Sequence, residues 1–157
     1  MLIEEWMSRP VHTVKPLDTI SHARELMVRH RVNQLPVVRD GRLIGIVTDR
    51  DLRDAFPSVF TEIDEAIARD FGEPRRRRTR ARETDPGKVP VDMVMSHDPM
   101  SLSPRDSVEE AARLMRRERF GALPIVDGGA LVGILTRSDV LDAFLGLAES
   151  MAEVSGA

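Results

Sequence analysis

The hydrophobic positions of the chain predict the same series of elements twice. A spacing of three and four residues first occurs at Ile20, Ala23, Leu26 and Met27. The same spacing returns at Val108, Ala111, Ala112, Leu114 and Met115. Apolar residues at such intervals are typical of a helix with one buried face. We therefore predict one amphipathic helix in each half of the chain.

Two apolar runs follow each of these helices and predict a β-hairpin. In the first half the runs cover residues 35–38 and 43–47, and Asp40-Gly41 between them is a strong turn signal. Gly128-Gly129 has the same place in the second half. Short extended segments at residues 11–14 and 100–102 precede the helices, and a further helix follows each hairpin. The order is β-α-β-β-α in both halves, which predicts an α+β fold.

The two halves are copies of one another. A shift of 88 positions lays residues 7–56 on residues 95–144 without a gap, and 21 of the 50 pairs are identical. Such dense identity predicts one structural unit used twice. We expect a first repeat in residues 1–56, an inter-repeat helix with a mobile basic loop in residues 57–90, and a second repeat with a C-terminal helix in residues 91–157. Because about 50 residues give a marginal core, the units should pack with pseudo-twofold symmetry and leave two related clefts.

The most useful chemistry lies where the second strand of each hairpin runs into a helix. Residues 45–51 read GIVTDRD and residues 133–139 read GILTRSD, with Thr48 and Thr136 at the helix N-cap and Asp51 and Asp139 three residues later. The unpaired N–H groups of a first helical turn attract anions. An acidic residue at such a place can accept hydrogen bonds from a ribose diol. The alternative is a capping box, in which hydroxyl and carboxylate only satisfy the backbone.

The composition narrows the class of protein. Hydrophobic residues make up 41% of the chain and charged residues 31%, as in soluble globular proteins. No apolar run approaches the roughly 20 residues that span a bilayer, and the acidic start MLIEEWM lacks a signal-peptide core, so we expect a cytoplasmic protein without membrane contact. The absence of cysteine excludes disulfides, thiolate zinc sites and a cysteine nucleophile.

Few other residues of the chain are candidates for catalysis or metal binding. The four histidines, His12, His22, His30 and His97, have no metal-ligand spacing, and no serine stands in a nucleophile elbow. We therefore expect neither a catalytic residue nor a metal site, and no enzyme. An unrecognised small enzyme stays open only as an alternative.

The charge is unevenly distributed. The net charge is −3, and six arginines fall within residues 75–82, so the rest of the chain carries −3 − 6 = −9. Clustered arginines can neutralise phosphates, which makes nucleic-acid or polyphosphate binding an alternative function. No aromatic residue interleaves the run to stack on bases, so a solvated linker is the favoured interpretation and nucleic acid is not an expected partner.

Two further stretches have helical spacing. Val59, Ile63, Ile67 and Phe71 predict an amphipathic helix over residues 57–73 that packs on the pair of repeats. Val140, Phe144, Leu147 and Met151 share one face of the last helix. That face predicts core packing or, as the alternative, a dimer contact.

These residues together resemble the cystathionine-β-synthase (CBS) domain, which occurs as a tandem pair. Residues 95–99 match its Met-x-x-x-Pro motif, and residues 7–10 match it one residue shorter. The helix ending in Leu-Met, the strands Leu-Pro-Val-Val and Leu-Pro-Ile-Val, and Gly-x-x-Thr-x-x-Asp complete the pattern in both copies. The insert opening with Pro57-Ser58 is similar to the acetoin-utilisation branch of this family.

The resemblance implies a function. CBS pairs commonly bind adenosine nucleotides or S-adenosylmethionine in their clefts, and they typically form dimers. It follows that this chain would be a regulatory sensor of AMP, ADP or ATP that signals to a separate regulated protein or through its own homodimer. S-adenosylmethionine is the alternative ligand. No metal would be required, and magnesium would enter only with ATP.

The resemblance also implies the site residues. Asp51 and Asp139 would hold the ribose hydroxyls, and Thr48 and Thr136 would bond the sugar or the phosphate. The phosphate candidates, whose guanidinium forks match phosphate oxygens, are Arg50, Arg53 and Arg137. A solvated surface position is the alternative for each arginine. The residues implied to line the base pocket are His12, Thr13, Pro36, Val37, Met100, Ser101, Pro124 and Ile125.

Overall fold

A computed structural model describes residues 1–56 and 85–155. The helix predicted for residues 57–73 and the arginine run at residues 75–82 lie outside the described residues. The helices are α1 (Ile20–His30), α2 (Asp49–Ala55), α3 (Val108–Glu118) and α4 (Arg137–Ser155). The strands are β1 (Gln34–Arg39), β2 (Arg42–Thr48), β3 (Ser96–His97), β4 (Ala122–Asp127) and β5 (Ala130–Thr136). Two short 3₁₀ helices cover Ile3–Glu5 and Val91–Met93. The predicted α+β class is confirmed.

The chain divides into two compact units that do not coincide with the two stretches of sequence. One unit contains Met1–Thr13, Val38–Ile44 and the described residues from Asp98 onwards, and we call it the second-repeat unit. The other contains Val14–Val37 and the described part of Gly45–His97, and we call it the first-repeat unit. The N-terminal segment therefore lies with the second repeat, although in sequence it belongs to the first.

The predicted helices begin at side-chain caps. The Thr19 hydroxyl accepts a hydrogen bond from the N–H of His22 at 3.2 Å, and the Ser107 hydroxyl accepts one from the N–H of Glu110 at 3.1 Å. Each cap satisfies one of the N–H groups that the first helical turn leaves unpaired. Both helices end in a left-handed residue, Arg31 with φ of 54° and Arg119 with φ of 61°.

The two hairpins have the predicted turns. Asp40 and Gly41 adopt φ of 51° and 75°, and Gly128 and Gly129 adopt φ of 57° and 85°. Two consecutive positive φ angles characterise the turn that matches the twist of paired strands. In the second hairpin β4 and β5 are antiparallel, with Leu123 opposite Leu135.

The edges of the sheet are less regular than the sequence predicts. The extended segments at residues 11–14 and 100–102 each form a single parallel bridge, Val14 with Val37 and Leu102 with Ile125. On the side of β5 away from β4, Ser8 exchanges main-chain hydrogen bonds with Ile134 at 2.8 and 3.2 Å. In the first-repeat unit β3 pairs in the same way with β2, where Ser96 is opposite Ile46.

A methionine packs against a glycine where each of these short segments pairs with its strand. A Cβ atom built on Gly45 would lie 2.5 Å from the sulfur of Met95 and 2.9 Å from the carbonyl oxygen of Ser96. A Cβ atom on Gly133 would clash with the sulfur of Met7 in the second-repeat unit. The glycines of the repeated Gly-x-x-Thr motif thus allow the Met-containing segments to approach.

Each unit has an apolar interior. The core cluster of the second-repeat unit contains Ile3, Met7, Val108, Ala111, Met115, Leu123, Ile125, Leu135, Val140 and Ala143. The buried apolar residues of the first-repeat unit are Val14, Ile20, Ala23, Met27, Leu35, Val37, Val47, Leu52 and Val91. The interior faces of α1, α3 and the strands are those that the sequence spacing predicts. On α4 the prediction of core packing is wrong beyond Val140, because Phe144, Leu147 and Met151 are 39%, 42% and 63% exposed.

Candidate functional site

The junction between β2 and α2, at residues 48–51, forms a closed capping box, and we call it the corner of the first-repeat unit. The corner of the second-repeat unit is the matching junction of β5 and α4, at residues 136–139. Oδ2 of Asp51 accepts a hydrogen bond from the N–H of Thr48 at 2.8 Å, and the N–H of Asp51 donates to Oγ1 of Thr48 at 3.2 Å. Both residues are half-buried. Among the described residues, Oδ1 of Asp51 accepts no hydrogen bond and the Thr48 hydroxyl donates none. This corner therefore retains one acceptor and one donor for a ligand.

The corner of the second-repeat unit uses its polar groups more fully. Oδ2 of Asp139 accepts from both the N–H and the hydroxyl of Thr136, at 2.6 and 2.8 Å, and the N–H of Asp139 donates to that hydroxyl at 3.2 Å. Oδ1 of Asp139 accepts a hydrogen bond from the Ser8 hydroxyl at 3.1 Å. Both carboxylate oxygens are therefore occupied.

The two corners are anchored at matching places. The N–H of Asp49 donates to the carbonyl oxygen of Asn33 at 2.8 Å, and the N–H of Arg137 donates to that of Gly121 at 3.1 Å. Each of these contacts joins the first residue of a helix to the residue just before a hairpin. The structure thus holds both hydroxyl and acid pairs by the same local arrangement.

Both corners form the capping box that was the alternative interpretation. The box uses only one carboxylate oxygen of each aspartate. In both corners the cap uses Oδ2, so Oδ1 is the carboxylate oxygen that the cap leaves unused. A carboxylate can accept several hydrogen bonds, which makes capping and ligand binding compatible.

Two residues predicted for the base pocket have side chains in the interior. Ile125 is 0% exposed and belongs to the core cluster, and Val37 is also 0% exposed. Alternation along a strand places Ile125 on the same face as Leu123 and Val37 on the same face as Leu35. We therefore correct the predicted role of these two residues, because only their main-chain groups can meet a ligand.

The other predicted lining residues differ in accessibility. Pro36 and Pro124 are buried, Thr13 is half-buried, and His12, Met100 and Ser101 are exposed. In the second-repeat unit the N–H of Leu102 donates to the carbonyl oxygen of Pro124 at 3.1 Å, which brings the segment containing Met100 and Ser101 beside β4.

The three candidate arginines all have intramolecular partners. Nε of Arg137 donates to the carbonyl oxygen of Phe120 at 2.9 Å, and Nη2 donates to that of Arg119 at 3.2 Å. These bonds satisfy carbonyl groups at the C-terminal end of α3, where a positive charge is also favourable. Arg53 forms an ion pair with Asp49, and Nε of Arg50 lies 4.0 Å from Oδ2 of Asp54.

Ser8 is the residue that sequence reasoning missed. Its contact with Asp139 joins positions 131 apart in the chain, which no local motif reports. One signal was present, because Ser8 is identical to Ser96 under the 88-residue shift although both positions are polar and exposed.

A cavity of about 450 Å³ lies elsewhere in the first-repeat unit, between α1 and α2. Its lining includes Val28, Leu52 and Phe56 together with Glu25 and Arg29, which form an ion pair with each other. None of the predicted site residues lines it. We place the candidate site at the corners, because they hold half-buried polar groups in the same arrangement twice.

Residues 1–56 and 85–155 contain neither a metal-binding cluster nor a membrane-spanning helix. These residues contain no group of three or more histidine, aspartate or glutamate side chains arranged to hold a metal ion. Of the helices in this part of the chain, none combines the length and the apolar character that a membrane span requires.

A chain that repeats one β-α-β-β-α unit, with a threonine and an aspartate at the same corner of both copies, has the architecture of a tandem domain pair. This chain belongs to the CBS domain family, whose model matches residues 3–58 and 91–146. The resemblance of the sequence to a tandem CBS pair is thereby confirmed.

Several relatives resemble the chain over most of their length. The CBS domain-containing protein YhcV of Bacillus subtilis is 36% identical over 138 residues, which are 88% of this chain and 81% of YhcV. The structure of CBSX2 of Arabidopsis thaliana in complex with AMP is 31% identical, with a TM-score of 0.70 and coverage of 94% of this chain and 98% of CBSX2. A candidate acetoin utilization protein (AcuB) from Vibrio cholerae is 28% identical, with a TM-score of 0.75 and coverage of 98% and 96%.

Proposed function

We propose that this protein is a regulatory CBS pair that binds an adenine nucleotide, AMP first among them, and signals its presence to another protein. The observation that carries the proposal is the complex of CBSX2 with AMP, a structure that this chain resembles over 94% of its length. The two hydroxyl and acid corners support it from within the chain. Binding without catalysis is the proposed activity.

The proposed contacts use the carboxylate oxygens that do not close the capping boxes, of which Oδ1 of Asp139 already has the Ser8 hydroxyl as a partner. Oδ1 of Asp51 and Oδ1 of Asp139 accept hydrogen bonds from ribose hydroxyls, and the hydroxyls of Thr48 and Thr136 lie beside the sugar or the phosphate. The base is met by main-chain groups of Pro36 and Val37 or of Pro124 and Ile125. The other base-pocket candidates are His12, Thr13, Met100 and Ser101. The phosphate candidates are Arg50, Arg53 and Arg137. Each of them must release an intramolecular partner in order to bind a phosphate.

A sensor also needs something to receive the signal. A ligand can shift a conformational equilibrium only by binding one conformation better than another. The proposed receiver is a partner protein or a second copy of the chain. A homodimer is supported by exposed apolar residues on α4: Leu141, Phe144, Leu145, Leu147, Met151 and Val154.

A thermal-shift panel tests the ligand. The panel contains AMP, ADP, ATP with and without magnesium, and S-adenosylmethionine. A ligand at 100 times its dissociation constant stabilises the fold by about 2.7 kcal/mol, which raises the melting temperature of a domain of this size by roughly 5 to 10 °C. We expect AMP to give such a shift.

The matched variants are Asp51→Ala, Asp139→Ala and the double variant. Each shift is measured from the variant's own ligand-free melting temperature, because either substitution also removes a cap. We expect each single variant to lose part of the AMP shift and the double variant to lose nearly all of it. A full shift in the double variant would reject the ribose contacts, and the absence of any shift with every ligand would reject the proposed function.

A further inference from the structure

The two corners differ most clearly in the hydrogen bond from Ser8. The Ser8 hydroxyl donates to Oδ1 of Asp139, whereas among the described residues nothing donates to Oδ1 of Asp51. The difference falls on the one carboxylate oxygen that the cap leaves available.

The repeat supplies the comparison. Ser96 is the counterpart of Ser8, and its main chain pairs with Ile46 of β2 as that of Ser8 pairs with Ile134 of β5. Both serines are exposed and both stand directly after the methionine that packs on a motif glycine. Within the described part of the chain, however, the Ser96 hydroxyl makes no hydrogen bond. The main chain is therefore equivalent at the two places, and only the use of the hydroxyl differs.

We propose that the Ser8 hydroxyl is an internal competitor for the ribose, and that it weakens nucleotide binding at the Asp139 corner relative to the Asp51 corner. This inference rests on the proposed function. A hydroxyl that donates to a carboxylate oxygen resembles a ribose hydroxyl chemically, so the two compete for one acceptor. Ser8 is a positioning residue, because it acts through Asp139.

The competition involves a side chain alone. The main-chain bonds between Ser8 and Ile134, at 2.8 and 3.2 Å, do not use the hydroxyl, so rotation of the Ser8 side chain can free Oδ1 of Asp139 without breaking the sheet edge. An incoming ribose thus replaces one hydrogen bond.

Isothermal titration calorimetry with AMP tests the proposal on full-length variants. Asp51→Ala isolates the Asp139 corner, and the comparison is between Asp51→Ala and Asp51→Ala/Ser8→Ala. We expect AMP to bind about three- to fivefold more tightly when the Ser8 hydroxyl is removed, the factor that corresponds to one exposed hydrogen bond. Binding that is undetectable in Asp51→Ala and measurable after the second substitution supports the proposal equally.

Three controls separate competition from a merely structural effect. Asp51→Ala/Ser8→Thr keeps a hydroxyl and should bind AMP as Asp51→Ala does. Ser96→Ala in the Asp139→Ala background, the matched change at the other corner, should leave AMP affinity unchanged. With 2′,3′-dideoxy-AMP, which lacks the competing hydroxyls, the gain from Ser8→Ala should vanish.

The outcomes distinguish this inference from the function on which it rests. If the unsubstituted chain binds AMP but Ser8→Ala does not tighten binding in the Asp51→Ala background, competition by Ser8 is overturned and the proposed function stands. If the unsubstituted chain binds no AMP, both are overturned. A gain that persists with the dideoxy nucleotide also overturns competition for the ribose.

Discussion

At the residue scale, Asp51 caps α2 with one carboxylate oxygen, and its other oxygen is the one that we propose meets the ligand. Oδ2 of Asp51 closes the capping box with Thr48, while Oδ1 accepts no hydrogen bond from the described residues. The two tasks should therefore be separable by a substitution that alters only one of them.

Asp51→Asn is that substitution. The amide oxygen of asparagine can accept the hydrogen bond from the N–H of Thr48, whereas its NH₂ group cannot accept one from a ribose hydroxyl. We expect Asp51→Asn to keep most of the ligand-free stability, and Asp51→Ala to lose about 1 kcal/mol because the cap is broken. Both variants should lose the same part of the AMP shift.

Urea unfolding without ligand measures the contribution of the cap to stability. The thermal shift with AMP, on the same samples, measures the contact with the ligand. An AMP shift retained in Asp51→Asn would show that the second oxygen does not meet the ligand. A loss of stability as large as that of Asp51→Ala would show that the asparagine does not form the cap.

Local sequence explains why the corners could be predicted and why their difference could not. Thr-x-x-Asp at the end of an apolar run is a helix-start pattern, so Thr48, Asp51, Thr136 and Asp139 followed from spacing alone. The contact of Ser8 with Asp139 depends on which strand the N-terminal segment joins. No pattern within a few residues of Ser8 carries that information.

At the element scale, the glycine of each Gly-x-x-Thr motif is required because another segment packs closely against its strand. β5 passes Met7 at Gly133, and β2 passes Met95 at Gly45. A side chain at either glycine would occupy space that the methionine fills. This explains why the same position is glycine in both copies of the repeat.

Gly133→Ala should destabilise the fold by about 1 to 3 kcal/mol, the usual cost of forcing an extra methyl group into a packed position. The cost arises from the clash with Met7, so it should shrink when Met7→Ala is introduced as well. A double-mutant cycle from urea unfolding measures the coupling between the two sites. At Gly45 an added Cβ atom would also lie 2.9 Å from the main-chain oxygen of Ser96, so a matching cycle with Met95 should show weaker coupling in the first-repeat unit. Strictly additive losses in both cycles would contradict the proposed packing.

The elements themselves were largely readable from the sequence, but their edges were not. Helical spacing placed α1 and α3, and Asp40-Gly41 and Gly128-Gly129 placed both hairpin turns. The segments at residues 11–14 and 100–102 were correctly expected to be extended, yet each forms only one bridge. Pairing at a sheet edge joins residues that are distant in sequence, and apolar periodicity does not identify the partner strand.

At the scale of the whole molecule, each repeat of the sequence contributes a segment to the unit built around the other. Residues Met1–Thr13 belong to the second-repeat unit, and residues 85–97 belong to the first-repeat unit. A gap-free alignment of the repeats cannot reveal this, because the exchanged segments are themselves equivalent. The predicted boundaries at residues 56 and 91 therefore describe sequence repeats and not units of packing.

The long C-terminal helix leaves an apolar face open in the chain as described. Val140 and Ala143 of α4 are buried in the second-repeat unit, at 8% and 0% exposure, while Leu141 and Leu145 are 63% and 60% exposed. Contiguous exposed apolar residues on a soluble protein commonly mark an interface. A second copy of the chain is the proposed occupant of this face.

Leu145→Glu tests that assignment by placing a charge where a dimer would bury it. Because an unpaired charge is costly to desolvate, we expect the unsubstituted chain to sediment as a dimer and Leu145→Glu to sediment largely as a monomer in analytical ultracentrifugation. Leu17→Glu, at a residue that is 77% exposed in the first-repeat unit, should leave the dimer intact. A dimer that tolerates Leu145→Glu would reject this face as the interface, and a monomeric unsubstituted chain would leave a separate partner protein as the proposed receiver of the signal. The AMP shift should survive in the monomer, because the hydrogen bonds described at both corners come from one chain, and its loss would mean that a second copy completes the nucleotide site.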